Sequence, residues 1–194
     1  MEQLGIPATL MRGGTSKALF VQAKDLPTTE LEQLDKWIRA VFGSPDRRQI
    51  DGVGGGDLLT SKLAIIAPST RPDADIDYTF AQVGVDVPTI VRNLNCGNIS
   101  AAVAPFVIDA GLVLATDPLT KVRIHNTNTG TIIYSEVPTR NGKACTQGEL
   151  SISGVPGTGA EIRLDFRNTV GSGTGVLLPT GNVRDTLNVD GIGA

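Results

Sequence analysis

The chain is poor in the residues that most often carry catalysis. Of its 194 residues, one is histidine and two are cysteine. A lone histidine, His125, excludes a paired-histidine mechanism and disfavours a Ser-His-Asp triad. No His/Cys cluster at ligand spacing accompanies it, so no metal site is expected and His125 is read as structural. The two cysteines are far apart, and Met1-Glu2-Gln3-Leu4 has neither a basic start nor an apolar stretch of the secretory kind. Free thiols in a reducing cytoplasm are therefore expected. No run reaches the ~18 apolar residues of a membrane span. A net charge of −3 without a basic stripe argues against a nucleic-acid surface. Aromatics are 4% against 40% hydrophobic residues in all, so the core must be mostly Val, Ile, Leu and Ala. What the chain does have is glycine, 23 of them, which implies many tight turns and close backbone approaches.

The length suits one domain of ordinary size or two small ones. Short β-like segments dominate. Pro7 to Met11 and Ala18 to Gln22 flank Arg12-Gly13-Gly14-Thr15-Ser16-Lys17, which reads as a hairpin loop. A helix is expected over Thr29 to Phe42, with Thr29 and Glu32 as a capping box and one stripe of Leu31, Leu34, Trp37, Ile38, Val41 and Phe42. Its polar side faces water, and nothing in it points to catalysis. Strands are expected at Ser61 to Ala67, Asp75 to Val85, Lys121 to Asn126, Thr131 to Val137, Glu149 to Ile152 and Glu161 to Phe166, with Asn141-Gly142 as a turn. A second helix, residues 98–110, is apolar on nearly all sides and therefore buried; Pro105 should cost it one hydrogen bond, and Gly111 ends it. A sheet curled around one buried helix fits this order. The glycine loop at residues 52–56 lacks the Walker pattern and precedes a strand, so it reads as a close-packed loop and not a nucleotide site.

Asn95-Cys96-Gly97-Asn98 stands directly before the apolar run. This puts Cys96 at the head of a buried helix, where unpaired N–H groups and the positive end of the helix dipole converge. Such a position favours thiolate and attracts an anionic ligand, which points to acid–base chemistry on a carboxylate compound. Lys62 opens an apolar strand; there it can simply reach out to solvent, or serve as a base if enclosed. Cys145, in a turn-and-strand context, reads as half-buried packing. Thr15-Ser16-Lys17 and Thr60-Ser61-Lys62 repeat a pattern short enough to be chance.

Taken together, Met11 to Lys17, Asp51 to Gly56 with Thr60-Ser61-Lys62, Asn93 to Asn98, and Leu178-Pro179-Thr180-Gly181-Asn182 resemble the PrpF family, the 2-methylaconitate cis–trans isomerases and their relatives. The resemblance implies an α+β fold like that of diaminopimelate epimerase: a curled, mainly antiparallel sheet around a central helix, with the active site between two similar halves. It implies a cofactor-independent isomerase or tautomerase that shifts a proton in an unsaturated di- or tricarboxylate of the 2-methylaconitate, aconitate or 4-oxalomesaconate type. Lys62 aligns with the family's base and Cys96 with its acid–base or orienting partner. Gly14, Ser16, Lys17, Asn95, Gly97 and Asn98 would hold carboxylates. Family members run to roughly twice this length. The expectation is thus an N-terminal domain over residues 1–184, the start of a second over 185–194, a partner in the missing half, and little activity alone; a homodimer is one assembly it admits. The competing readings are a cysteine-based racemase or epimerase of amino or hydroxy acids, and a non-catalytic carboxylate-binding domain.

Overall fold

The computed structural model describes residues 3–167, 171 and 174–187. Nine strands form one sheet: β1 (Thr9–Gly13), β2 (Ser16–Gln22), β3 (Lys62–Pro68), β4 (Ile76–Val83), β5 (Ile90–Val91), β6 (Leu119–Asn126), β7 (Thr131–Arg140), β8 (Lys143–Ala144) and β9 (Arg163–Asp165). The main path runs β1-β2-β3-β4-β6-β7-β8, with β5 on β4 and β9 on β7. Pairs are antiparallel except β2 with β3 and β4 with β6. The described residues also form two α-helices, α1 (Leu31–Phe42) and α2 (Gly97–Asp109), and a short 3-10 turn at Ala23–Asp25.

The sheet curls around α2, which touches β1 and β2 at one edge and β6, β7, β8 and β9 at the other. Alternation along each strand explains why. Ala18 and Phe20, Ala64 and Ile66, and Ile76, Tyr78 and Phe80 point to the concave side, where they meet Ile99, Val103, Phe106 and Val107 of α2. The opposite rows, Leu19 and Val21, Leu63 and Ile65, Ala81 and Val83, meet Leu34, Ile38 and Phe42 of α1. The central strands are thus buried on both faces by two separate cores. This is the α+β architecture expected, a curled, mainly antiparallel sheet around a buried helix with a second helix outside.

Some local expectations need correction. Thr29 does not cap α1; the N-cap is Glu30, whose carboxylate accepts from the N–H groups of Glu32 and Gln33 at 3.0 and 2.9 Å. One longer side chain there does what the Thr29–Glu32 box would have shared, and Thr28 accepts from Glu30 N–H instead. Leu31 also drops off the buried stripe, at 60% exposure, because it lies in the first turn beyond the sheet edge. Glu149 to Ile152 is not a strand: Leu150 makes one isolated bridge with Gly159, and the surrounding Gly- and Pro-rich loop offers no longer partner. Asp185 to Leu187, where a second domain was expected to start, is irregular, and residues 188–194 lie outside the described residues.

Candidate active site

The concave face carries a polar group at one end, where α2 begins. Cys96 is the N-cap of α2 in extended conformation, and its side chain makes no capping hydrogen bond. The leading N–H groups of the helix, from Gly97 onward, have no intrahelical acceptors. Gly97 is exposed, and a Cβ placed on it would meet nothing within 4 Å, so the first turn opens onto free space. The strap leading into the helix is held by amides. Asn128 Nδ2 donates to Arg92 O and Phe80 O at 2.6 and 2.8 Å, and Asn126 Nδ2 donates to Asn95 Oδ1 at 3.3 Å. Ser100 Oγ donates to Asn95 Oδ1 or Cys96 O. Arg92 is also ion-paired with Asp35, which ties the strap to α1. Asn95 Oδ1 thus faces Asn126 and Ser100, while Asn95 Nδ2 has no partner among the described residues.

Lys62 stands at the start of β3, 6% exposed. It shares the concave face with Ala64 and Ile66. Its ammonium donates to Gln82 Oε1 at 2.5 Å and lies 5.4 Å above the Phe80 ring. Among the described residues it forms no ion pair. One step before the first β2–β3 pair, Leu19 with Leu63, Lys62 falls beside Ala18, two residues along from Ser16. With strands about 4.8 Å apart and about 6.6 Å per residue pair, Lys62 and Ser16 belong to one small patch.

Ser16 and Gly14 connect that patch to α2. Asn98 Nδ2 donates to Thr15 Oγ1 and Ser16 Oγ at 2.9 and 3.2 Å, which clamps the β1–β2 turn on the first turn of the helix. A Cβ on Gly13 would sit 2.3 Å from Asn98 O, and one on Gly14 2.4 Å from Asn98 Oδ1, so both positions require glycine for the clamp to close. Ser16 is thereby buried at 2% exposure. Lys17 alternates to the other face, with Leu19 and Val21, and the structure does not bring it to the rest. The glycine loop at residues 52–56 is close-packed as expected: Gly54 lies on the amide of the buried Gln49, whose Nε2 donates to Ser61 Oγ at 2.7 Å and braces the start of β3.

Tyr78 is fully buried on the same face, and among the described residues its hydroxyl has no hydrogen-bond partner. Burial holds this phenol well above its ordinary value, and a thiolate at Cys96 pushes it further the same way, while the nearby Ser100 hydroxyl pulls it back. His125 pairs with Asp77 across β6 and β4 at 3.0 Å, in line with a structural role. Among the described residues no three His, Cys, Asp or Glu side chains group as metal ligands. Cys145 lines a cavity of about 320 Å³ between β1, α2 and the loop of residues 145–160, against Ala101, Ala102 and Pro105. By the 1.5 Å helical rise this is roughly 8–13 Å along α2 from Cys96, so the two thiols do not form a facing pair. Gln82, Tyr78, Asn126 and Asn128 were not legible as site residues. Only the register of β4 and the turn after β6 bring them there.

The profile of the PrpF protein family matches residues 3–194. The chain belongs to the PrpF family. Among PrpF relatives, the 3-methylitaconate isomerase of Eubacterium barkeri is 56% identical over 187 residues, 96% of this chain and 49% of that protein. The 4-oxalomesaconate tautomerase of Pseudomonas putida is 50% identical over 187 residues, 96% of this chain and 52% of that protein. The crystal structure of a methylitaconate-delta-isomerase superposes with a TM-score of 0.87 at 56% identity, covering 95% of this chain and 48% of that one. The chain thus spans about half the length of the curated relatives it matches. No helix among the described residues is long and apolar enough to cross a membrane.

Proposed function

We propose that this chain supplies one wall of a cofactor-independent isomerase or tautomerase that moves a proton within an unsaturated di- or tricarboxylate, of the methylitaconate, 2-methylaconitate, aconitate or 4-oxalomesaconate type. One observation carries the reading: a buried lysine without a carboxylate partner shares the concave face with an uncapped, open helix N-terminus. Lys62, as the amine, takes a proton from the carbon next to the unsaturated system; the charge spreads into the conjugated carboxylate, and the same proton or its equivalent returns at the far carbon. The N–H groups of Gly97 and Asn98 and the spare amide of Asn95 meet the carboxylate as it gains charge, aided by the helix dipole. Cys96 orients substrate or hands over the second proton. Gly14 and Ser16 contribute by holding Asn98 in place, whereas Lys17 is left out of this set. The closing wall of the cleft comes from a second domain of similar size, which the length of the relatives supports. Both cysteines are free, which suits a reducing cytoplasm.

A two-cysteine racemase is the weaker reading: it needs a second cysteine facing Cys96 from the second half, since Cys145 sits at the wrong place along α2, whereas the enclosed Lys62 favours the isomerase. The deciding experiment is proton NMR in deuterated water, with this chain joined to a second half of the relatives' length. The substrates are 3-methylitaconate, 2-methylaconitate, trans-aconitate and 4-oxalomesaconate, each run beside Lys62→Ala. Deuterium should enter at least one substrate, with exchange slowed about 100-fold or more in the variant. Absence of exchange in all four would overturn the reading. The isolated 194-residue chain is expected to show little turnover.

A further inference from the structure

Gln82 has a place in the site that the family-level reading does not assign. It lies opposite Lys62 in the β3–β4 register, on the concave row that otherwise holds Ile76, Tyr78 and Phe80. Its amide can point only one way. Nε2 lies 3.0 Å from Leu58 O and 2.9 Å from Ser61 O, and both are acceptors only. A flipped amide would set oxygen against two carbonyl oxygens. Oε1 is therefore obliged to face Lys62, where it accepts from Nζ. Ser61 O also accepts from Val83 N–H, so the anchor belongs to the sheet itself.

We propose that Gln82 is a positioning residue that holds Lys62 through one neutral hydrogen bond and leaves its protonation free to change. A primary amine has two N–H donors and a lone pair; its ammonium ion has three donors. One N–H to Oε1 is retained in both states, so the lone pair of the amine, and the third N–H of the ammonium, fall on the remaining open directions. A proton gained from substrate carbon is thus held without loss of the anchoring bond and can be returned. A carboxylate in the same place would favour the ammonium form; an amide carries no such bias. The titratable groups on the elements packed around Lys62 are few. Asp57 accepts from Leu59 N–H at 2.6 Å, and Tyr78 and Cys96 share the concave face. The inference rests on the proposed role of Lys62 as base.

Gln82→Glu keeps the side-chain length but sets an oxygen where Nε2 met Leu58 O and Ser61 O, so the carboxylate turns away from them toward Lys62; it tests the idea on this chain as it stands. The protonation of Lys62 is followed by the pH dependence of its side-chain 13Cε and 15Nζ signals, assigned with Lys62→Arg. The ammonium form should persist to higher pH in the variant, by about one to three pH units. A profile unchanged from the parent would overturn the proposal. If Gln82→Glu unfolds the chain, Gln82→Met gives the second test: a neutral variant should leave the midpoint within about half a unit, and a shift as large as that expected for Glu would overturn the proposal. In the joined enzyme, Gln82→Glu should lower kcat about tenfold or more near neutral pH, with KM little changed and recovery as pH rises. Equal loss at every pH would mean a merely structural role. The NMR readout needs no substrate. A shifted Lys62 profile with no exchange in any substrate would therefore sink the function and spare the role of Gln82, and the reverse pattern would do the opposite.

Discussion

The two helices are nearly equal in length, 12 and 13 residues, and opposite in design. Helix α1 is amphipathic, lies on the outside of the sheet, and has its first donors satisfied by the Glu30 carboxylate. On its outer face Lys36 pairs with Glu32 one turn earlier at 2.6 Å. Helix α2 is buried on most sides and has no side-chain cap at all. It is held by apolar contacts along its length and by side-chain bonds from Asn98 to Thr15 and Ser16 and from Lys143 and Ala144 to Asp109, none of which uses its leading N–H groups. A helix that only builds structure spends its terminus on its own side chains. The ligand role proposed for α2 needs the other design, a helix held from the sides with its terminus open.

Removing packing from either helix should have the largest effect on stability. Ile38→Ala in α1 and Ile99→Ala in α2, both fully buried, are each expected to lower the unfolding free energy by about 2–5 kcal/mol in denaturant titrations. A loss below about 1 kcal/mol for Ile99→Ala would mean that apolar burial is not what secures α2. The caps come next, with opposite signs. Glu30→Ala should cost about 0.5–2 kcal/mol, whereas Cys96→Asp, which adds the cap that α2 lacks, should gain a similar amount while blocking anion binding at the first turn. A destabilised Cys96→Asp would break the comparison. Tyr78→Phe should have the smallest effect, within about 0.5 kcal/mol or slightly stabilising, since the hydroxyl it removes has no partner among the described residues. A loss above about 1 kcal/mol would show that this hydroxyl is bonded after all.

Much of this arrangement was legible in the chain. The apolar run after Cys96 could only be a buried helix. The 3.6-residue stripe of Leu34, Ile38 and Phe42 could only be an outer one, and alternation announced β4 and β6. Asn141-Gly142 is the turn expected, with both residues at positive φ (56° and 74°). The misses have physical causes. The cap passed from Thr29 to Glu30 because a longer carboxylate reaches two donors. The strand expected near Leu150 failed because a strand needs a partner, and the loop around it offers one bridge. Of the residues expected in the site, Ser16, Asn98 and Gly14 prove to be joined in one clamp, and Asn95 is held by Ser100 and Asn126. Lys17 went to the other face because neighbours in a strand point opposite ways.

What the sequence by itself determined are properties of local order: the periods of the helices and strands, the glycines at tight approaches, and a cysteine before an apolar run. These are set by propensity and by which residues water rejects, both of which act over a few neighbours. Only the tertiary structure decided that Gln82 meets Lys62, that Asn128 pins a strap 36 residues away, and that the buried Tyr78 hydroxyl lies near Cys96 and Ser100. Those contacts depend on sheet register and on the curl that brings distant strands around one helix. A register shift of one residue would have turned each of these side chains to the opposite face.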